Sequence, residues 1–450
     1  MWDYIVNYII HSFGIDKLDT PQGILTCVFA SLTTFITLCI GFRVVFFVVG
    51  LFGKKVTYPE APKTKKYAFV IPARNEEKVI GNLIRSIREQ DYPQELITIY
   101  VVADNCDPGD KTAEIARSLG CRVYERHEPD KQRKGYALHF LFEQIKKDYG
   151  IDSVDGYFLQ DADNVLTKNY VSKMNDAFCS TGGDAFTAYI ASKNFDKGII
   201  AGVHSIDTYR GVIYCHRARA IFKVGTSCYG RGSLFRSSVL ANGWNYFTLC
   251  EDNEFTLDYA AENGKIYYVE EAVFYDEQPS TLKISFRQRM RWTRGTYEAF
   301  LKRSWKLMKS SFRKPRWEKF DMWLYYFPFG LVTFLLGFTY NIASFCLYLA
   351  GSPGYTPEAL YLYFINITLG LLVQGWFTGL VVTIRERKYI YCPWWKKIYY
   401  IFFWGFYDLV SIPISILCLF MKVSWKTIPH NDETTMDELE KAKELKKNSD

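Results

Sequence analysis

Long apolar segments constrain this chain more than any other feature. Residues 24–42 contain no charged side chain, and the apolar stretch continues past Arg43 to Phe52. A helix needs about 20 apolar residues to cross the hydrocarbon core of a bilayer. Three later stretches also reach that length: 324–350, 360–384 and 398–421. The sequence therefore predicts a membrane protein with a multi-pass topology.

The first and last apolar segments are interpreted separately. No basic stretch or small-residue cleavage site accompanies the first segment, so we interpret it as an anchor and not as a signal peptide. Asp408 and Pro413 interrupt the last segment, which either spans the bilayer or lies in its interface. We favour a span.

Basic residues near these segments predict the orientation. Only Lys17 precedes the first segment, whereas five lysines follow it closely: Lys54, Lys55, Lys63, Lys65 and Lys66. Cytoplasmic flanks carry the excess of Lys and Arg. The region after the first segment is therefore predicted to be cytoplasmic, in a protein of the cell membrane. The turn at 351–359 lacks basic residues and is predicted to be external, and the basic run 385–388 is predicted to be internal.

Composition limits the classes of partner. Much of the net charge of +7 lies beside the apolar segments, where anionic lipid headgroups explain it, so nucleic acid is not predicted as a partner. The 11 cysteines contain no CxxC pair, and most lie in the predicted cytoplasmic region. Neither a disulfide framework nor a zinc site is expected.

The central region alternates apolar strands with amphipathic helices. Strands are predicted at 66–73, 97–104, 121–125 and 155–163, with helices between them. This alternation is typical of an α/β fold with a mostly parallel sheet and helices on both faces, as in nucleotide-binding domains.

Polar residues follow three of these strands. Residues 74–76 follow the first strand, Asp104 follows the second, and Asp161 and Asp163 follow the fourth. Asp and Asn after a strand often only form a turn, which explains any one of these positions but not all of them together. Ligands bind outside the carboxyl ends of strands in such sheets, so we expect these side chains to share one crevice.

Six short motifs then occur in a characteristic order: PARNEE (72–77), VVADNC (101–106), KGYAL (134–138), DAD (161–163), CEDNE (250–254) and QRMRW (288–292). In this order they resemble the family 2 glycosyltransferases, and the flanking apolar segments resemble their membrane-embedded processive branch, which includes cellulose, hyaluronan and poly-N-acetylglucosamine synthases. The resemblance covers about residues 66 to 300. It implies a GT-A domain that binds a nucleotide sugar.

The two acids of DAD suit a divalent cation. Carboxylate oxygens are hard ligands that hold Mg²⁺ or Mn²⁺, and such a metal neutralises a diphosphate leaving group. By resemblance, Asp163 is the more direct metal ligand, and Asp161 lies near the metal, the ribose and the diphosphate.

The resemblance also implies a pocket for the nucleotide of a UDP-sugar. Asp104 is similar to the acid that contacts uracil, and Ala73 and Glu76 line the same pocket. Lys134 is positioned to approach the phosphates, although a single lysine at a helix start is equally interpreted as a solvated residue.

A second group of acids is implied to carry the chemistry at the acceptor. Displacement at the anomeric carbon needs a base beside the acceptor hydroxyl. In the family, the last Asp of a Thr-Glu-Asp motif has this role, which corresponds to Asp252, with Cys250 in place of Thr. Taken alone, Glu251 and Asp252 would instead be interpreted as acids that complement a helix N-terminus.

The segment 284–310 has the pattern of an amphipathic helix at a membrane interface. By resemblance, Gln288, Arg291 and Trp292 in its first turns bind the diphosphate and the acceptor sugar. Gly230 and Gly232 precede the predicted base and either allow close approach of the substrates or form a plain β-turn.

These observations predict five regions: an N-terminal segment with a transmembrane helix (1–55), a cytoplasmic GT-A domain (56–280), an interfacial region (281–320), a transmembrane bundle (321–425) and a charged tail (426–450). The expected function is inverting transfer of a hexose or N-acetylhexosamine from a UDP-sugar to a growing β-linked polysaccharide at the cytoplasmic membrane face. Export, with an export partner or a homodimer, is left open. Single transfer to a lipid-linked acceptor is the alternative, and a non-catalytic membrane scaffold is a remote one.

Overall fold

The structure is a computed structural model that describes residues 2–13, 15–313, 316–352, 355–423 and 428–447. Parts of the predicted external turn (353–354) and of the predicted tail (426–427 and 448–450) lie outside the described residues. Eight strands of the described chain form one sheet: β1 (Tyr67–Ala73), β2 (Ile97–Asp104), β3 (Arg122–Arg126), β4 (Gly156–Leu159), β5 (Val165–Leu166), β6 (Ala185–Ser192), β7 (Ser233–Arg236) and β8 (Ile266–Asp276).

Helices cover both faces of the sheet and form the candidate membrane segments. In the described residues they are α1 (Trp2–Ser12), α2 (Pro21–Gly41), α3 (Arg43–Phe52), α4 (Ile80–Arg88), α5 (Thr112–Ser118), α6 (Lys134–Asp148), α7 (Tyr170–Thr181), α8 (Ile199–Gly211), α9 (Ala218–Ile221), α10 (Glu251–Ala261), α11 (Leu282–Arg313), α12 (Trp317–Tyr326), α13 (Phe329–Leu349), α14 (Pro357–Arg385), α15 (Trp394–Leu409), α16 (Ser411–Phe420) and α17 (Met436–Lys447). A π-helical turn, Val212–Arg217, joins α8 to α9.

The sheet is mixed, with the order β3-β2-β1-β4-β7-β6-β8-β5. β1 pairs in parallel with β2 and β4, and β2 pairs in parallel with β3. The predicted parallel arrangement therefore holds for these four strands, whose carboxyl ends lie at one edge. β7 departs from it, because it lies antiparallel between β4 and β6.

Successive residues of β1 enter two different hydrophobic cores. Tyr67, Phe69 and Ile71 belong to one core with α4 and α7, whereas Ala68 and Val70 belong to another with α6. Neighbouring side chains of a strand point to opposite faces, so a strand covered on both faces must be apolar throughout. The uninterrupted apolar run of β1 is explained by this double burial.

Four helical segments of the described chain are long and apolar enough to cross a membrane: Pro21–Phe52, Phe329–Leu349, Pro357–Arg385 and Trp394–Phe420. They coincide with the four apolar stretches of the sequence. Along the chain, α11 lies between β8 and Phe329–Leu349. It is an amphipathic helix of 32 residues that packs on α10. α11 therefore connects the carboxyl edge of the sheet to the membrane segments.

Candidate active site

A cleft opens at the sheet edge where β1, β2 and β4 end. The structure brings together there all of the side chains predicted from the sequence as site residues: Ala73, Glu76, Asp104, Lys134, Asp161, Asp163, Asp252, Gln288, Arg291 and Trp292. They come from strand ends, from the starts of α6 and α10, and from the first turns of α11.

A turn, and not the strand itself, positions Asp161 and Asp163. β4 ends at Leu159, four residues earlier than predicted. The backbone N–H of Asn164 donates to the carbonyl of Asp161 (3.1 Å), and the Asn164 side chain accepts from the N–H of Asp161 (3.1 Å). This closed turn holds both acids at the cleft, where Asp163 is almost completely buried. The strand predicted over 155–163 is confirmed for Gly156–Leu159 only, because turn residues follow the apolar run directly.

Lys134, the first residue of α6, links the two sides of the cleft. Its Nζ donates to the carboxylate of Asp161 and to the carbonyl of Gly230 (2.7 Å). Burial alone would raise the pKa of Asp161, but the positive charges of Lys134 and Arg231 outweigh it and lower that pKa. Lys134 is therefore a constituent of the cleft and not a solvated surface residue.

Asp104 ends β2 and is held by two side-chain donors. The guanidinium of Arg126 and the amide of Asn105 (3.0 Å) both donate to Oδ1 of Asp104. Among the described residues, no protein group donates to Oδ2. Burial raises the pKa of Asp104 in spite of the Arg126 charge. One carboxylate oxygen thus remains available to a ligand.

Asp252 lies in the first turn of α10, next to the loop that contains Gly230 and Gly232. Its carboxylate accepts a hydrogen bond from the N–H of Asn253 (2.8 Å), and burial raises its pKa. Gly230 has φ +66°, and a Cβ at that position would lie 3.2 Å from Oδ2 of Asp252. The loop therefore needs glycine at residue 230, both for its backbone conformation and for its approach to Asp252.

Cys250 connects the start of α10 to α11. Its thiol contacts the carbonyl of Trp292 (3.5 Å), and a Cβ on Gly295 would lie only 2.5 Å from its sulfur. The Trp292 ring in turn meets the ring of His204 edge to face, at a centroid distance of 5.5 Å. The cysteine that replaces threonine is thus a packing residue between the two helices that carry Asp252 and Trp292.

The sequence interpretation missed a C-terminal segment that covers the cleft. Ile428 and His430 line it, and Nδ1 of His430 lies 2.9 Å from the carboxylate of Glu76. Nε2 of His430 lies 4.0 Å from Asp163. Burial would lower the pKa of His430, but Asp163 and Glu76 raise it to about 10. A lone histidine far along the chain gives no sequence signal for such a contact.

The same segment is fixed to the domain beyond His430. The backbone N–H groups of Asn431 and Asp432 donate to Glu277 (3.2 and 3.0 Å). Lys197 forms an ion pair with Asp432 (2.9 Å). In the following turns Met436 and Leu439 are buried in the core. The three-residue spacing of these two apolar residues is the sequence pattern of a helix face that docks on the domain.

The sequence interpretation also missed an ion pair at the floor of the cleft. Arg231 donates to Asp276 at the end of β8 (2.9 Å), and both residues line the cleft. Burial, opposed by Arg231 and reinforced by Asp163, raises the pKa of Asp276 to about 7. Nε of Arg231 is buried without a hydrogen-bond partner among the described residues.

The residues of the cleft fit a divalent cation that is shared with a phosphate. No group of three His, Cys, Asp or Glu side chains in the described part of the chain could hold a metal ion by itself. Mg²⁺ and similar ions, however, often bind through one or two carboxylates and complete their coordination with substrate phosphate and water. Asp161 and Asp163 provide such a pair of hard ligands beside the acid-rich floor of the cleft.

Comparison with known proteins agrees with this fold. Residues 62–295, more than half of the chain, match the family described as "Glycosyltransferase like family 2". A mannosyltransferase from Pyrobaculum calidifontis, solved with GDP-Man and Mn²⁺, shares the fold with a TM-score of 0.53 and 15% identity, over 87% of this chain and 99% of that one.

Curated relatives are glycosyltransferases with different names. The probable glycosyltransferase YdaM of Bacillus subtilis is 26% identical over 62% of this chain and 66% of its own length. Beta-monoglucosyldiacylglycerol synthase of Synechocystis is 24% identical over 55% of this chain and 50% of its own length. An N-acetylglucosaminyltransferase of Rhizobium meliloti is 23% identical over 51% and 55%. The chain thus spans about half to two thirds of the length of these relatives.

The mixed sheet, the acidic cleft at its carboxyl edge and the flanking helices define a GT-A-like glycosyltransferase with candidate membrane-spanning helices. The chain belongs to glycosyltransferase family 2.

Proposed function

We propose that this protein transfers a sugar from a UDP-sugar to an acceptor hydroxyl at the cytoplasmic face of the membrane, with inversion at the anomeric carbon. One observation carries the proposal: Asp161 and Asp163 share a single cleft with Asp252, and Lys134 lies between the two groups. A donor bound at the first group would present its anomeric carbon toward the second.

In the proposed reaction, the Asp252 carboxylate accepts the proton of the acceptor hydroxyl. The acceptor oxygen then forms a bond to the anomeric carbon as the bond from that carbon to the diphosphate oxygen breaks. A general base of this kind accelerates a reaction by about 10²–10⁴-fold. The raised pKa of Asp252 makes it a stronger base than an exposed aspartate, and Trp292 offers an apolar ring to the acceptor sugar.

Positive side chains of the cleft are proposed to stabilise the departing diphosphate. Lys134, Arg231 and Arg291 line the same cavity, and the unpaired Nε of Arg231 offers a further donor. A Mg²⁺ or Mn²⁺ ion held by Asp163 and Asp161 would supply additional charge neutralisation when bound. The approach of Gly230 to Asp252 keeps the base next to the Lys134 side of the cleft.

The contacts of Asp104 support a uridine nucleotide. Uracil presents one N–H between two carbonyl groups, whereas guanine presents two adjacent N–H donors that suit both oxygens of a carboxylate. Arg126 and Asn105 occupy Oδ1 of Asp104, so one oxygen is left for one N–H, and the donor groups nearby suit a carbonyl. This arrangement favours UDP over GDP.

For the acceptor, we propose a growing β-linked glycan, with a single lipid-linked acceptor as the second candidate. The motif of Gln288, Arg291 and Trp292 on α11 supports the first, by resemblance to processive synthases. Two observations favour the second. The relative from Synechocystis is named as a synthase of a glycolipid, and four candidate spans in the described chain form a thin wall for a polymer channel.

The test is an incubation of membranes that contain the protein with a panel of labelled UDP-sugars and Mn²⁺, followed by sizing of the product. A ladder of products supports polymer synthesis, whereas one discrete lipid-soluble product supports single transfer. GDP-sugars serve as the comparison set. Absence of transfer from every UDP-sugar, while a GDP-sugar is consumed, would overturn the donor assignment.

A further inference from the structure

The last apolar segment makes polar contacts with the catalytic domain along one face. On α15, Lys396 forms an ion pair with Asp196 (2.7 Å), and the hydroxyl of Tyr400 donates to the same carboxylate (2.9 Å). Asp196 lies in the loop between β6 and α8. Near the end of α15, Asp408 forms an ion pair with Arg210 of α8 (3.0 Å).

The contacts continue at the α15–α16 junction and along α16. The hydroxyl of Tyr407 lies 2.8 Å from Nδ1 of His204, and the guanidinium of Arg289 donates to the Tyr407 carbonyl (3.1 Å). Arg294, farther along α11, donates to the carbonyl of Cys418 (3.3 Å). From Lys396 to Cys418 a helix rises about 33 Å, which is the thickness of the hydrocarbon core. The catalytic domain and α11 together are therefore in contact with this segment along a length that a crossing helix would spend in lipid.

Both ends of the segment also lie at the catalytic domain. Before it, Glu386 is fully buried, where it accepts a hydrogen bond from Tyr189 of β6 (2.7 Å) and pairs with Arg217 (2.8 Å). After it, His430 reaches Glu76 in the cleft. A single crossing would place Glu386 and His430 on opposite sides of the bilayer, which these contacts exclude.

The opposite face of α15 is apolar and aromatic. Trp394 is 72% exposed, and the same face presents Trp395, Ile398, Tyr399, Phe402 and Phe406. Trp and Tyr are enriched at the membrane–water boundary, and a lysine such as Lys397 beside them suits anionic headgroups. An aromatic face opposite a polar face that is bound to protein is the pattern of a helix that lies in the interface.

We infer that Trp394–Phe420 lies in the bilayer interface on the side of the catalytic domain and does not cross. Its length and hydropathy alone place it among the four candidate spans, but its contacts leave three crossings: Pro21–Phe52, Phe329–Leu349 and Pro357–Arg385. The C-terminal segment is then on the side of the cleft that it covers, opposite the N-terminal end of α2.

An odd number of crossings places the two termini on opposite sides of the membrane, and an even number places them on the same side. This difference gives the first test. Epitope tags are added to either terminus of the full chain, and antibody access is measured in intact spheroplasts and after permeabilisation. We expect the two tags on opposite sides of the membrane. A tag inserted after Ser352, between α13 and α14, is the control and should share the side of the N-terminal tag. Both terminal tags on one side would overturn the inference.

The depth of α15 gives the second test. Nitroxide labels are attached to single cysteines in the full chain, in a background without the accessible native cysteines, and collision with oxygen and with a water-soluble nickel complex reports depth. A crossing helix would change depth by about 12 Å from Ile398 to Phe406, whereas we expect constant interfacial depth at Ile398, Phe402 and Phe406.

Labels on α14 provide the matched control for depth. Leu362, Leu369 and Val373 are similarly exposed, and their depth should change steadily along the helix. A depth gradient on α15 equal to that on α14 contradicts an interfacial position. Labels on α15 that are shielded from both oxygen and nickel would show that a protein partner, and not lipid, covers this face, and would also contradict it.

Discussion

Nζ of Lys134 lies 4.0 Å from the carboxylate of Glu251 while it donates to Asp161 on the other side of the cleft. One ammonium group therefore interacts with the acids after β4 and with the acids that begin α10. A change of charge in one group of acids alters the electrostatic energy of Lys134 and thereby affects the ionisation of the other group, because Coulomb interactions are strong over such distances in a buried site. Lys134 is expected to couple donor binding to the ionisation of the acceptor side.

Replacement of Glu251 tests this coupling through the pH dependence of the reaction. Burial raises the pKa of Glu251 to about 7, with a further contribution from Asp252. The charge of Asp252 contributes to this raised pKa, so Asp252 is already ionised when Glu251 titrates. Ionisation of Glu251 then adds a negative charge beside Lys134, which is proposed to stabilise the diphosphate, so kcat/KM should fall as the pH rises through about 7. Glu251→Gln should remove this fall and leave the acidic limb set by Asp252 in place.

The matched control for this profile is Glu262→Gln, which alters an acid after the far end of α10 that pairs with Lys306. Its pH profile should coincide with that of the unaltered protein, including the fall near pH 7. A fall near pH 7 that persists in Glu251→Gln would show that another group causes it.

Asp252→Asn should remove the proposed base without removing the donor site. We expect the turnover rate to fall by about 10²–10⁴-fold, as for other general bases, while UDP affinity in the presence of Mn²⁺ changes little. Turnover is followed with labelled UDP-sugar and affinity by calorimetry. If the variant keeps most of its turnover, the assignment of the base to Asp252 is wrong.

Asp163→Asn should have the converse effect. The neutral amide of Asn removes the negative charge of the Asp163 carboxylate and so weakens the cation site. UDP binding should then lose its dependence on Mn²⁺. Titration of UDP with and without Mn²⁺ measures this, and Asp152→Asn, at an exposed turn on the far side of β4, is the control. A variant that retains Mn²⁺-dependent binding would place the metal elsewhere.

Local patterns account for the parts of the site that were foreseen. β2 has the predicted bounds, and α6 begins at the predicted Lys134. In these elements the periodicity of apolar residues and the adjacent polar residues carry the information, because a parallel strand is buried on both faces and its carboxyl end faces the ligand. The motifs at 161–163, 250–254 and 288–292 then identify the side chains at the cleft.

Tertiary contacts account for what was missed. Neither the antiparallel β7 nor the ion pair of Arg231 with Asp276 has a local signature, since each depends on a partner far along the chain. The same is true of His430, which meets Glu76 across 354 residues. The last apolar segment shows the limit of hydropathy, which cannot distinguish a helix that crosses a bilayer from one that lies on it.

His430 should oppose metal binding in the absence of the donor. Its protonated ring lies 4.0 Å from Asp163, so a divalent cation at that carboxylate meets a positive charge. We expect His430→Ala to bind Mn²⁺ more tightly than the unaltered protein when no nucleotide is present, as measured by the signal of free Mn²⁺ in electron paramagnetic resonance. His127→Ala, at an exposed position, is the control, and unchanged or weaker binding in His430→Ala would contradict the expectation.

Arg126 is expected to control the choice of nucleotide through Asp104. In Arg126→Gln the charged donor to Oδ1 is lost and Asn105 remains on that oxygen, so Oδ1 regains one acceptor position for the second N–H of guanine. A hydrogen bond to a charged group contributes about 1.5–3 kcal/mol, so the ratio of UDP to GDP affinity should fall about tenfold or more.

Two further variants separate this effect from a general loss of stability. Arg126→Lys keeps one charged donor for Asp104 and should keep the preference for UDP. Arg117→Gln removes an ion pair with Glu125 on the surface beside β3, and exposed pairs of this kind contribute little to stability, so it should leave both affinities unchanged. Equal losses of UDP and GDP binding in Arg126→Gln would indicate that Arg126 only supports the fold of the pocket, since selection of the base requires the two affinities to change unequally.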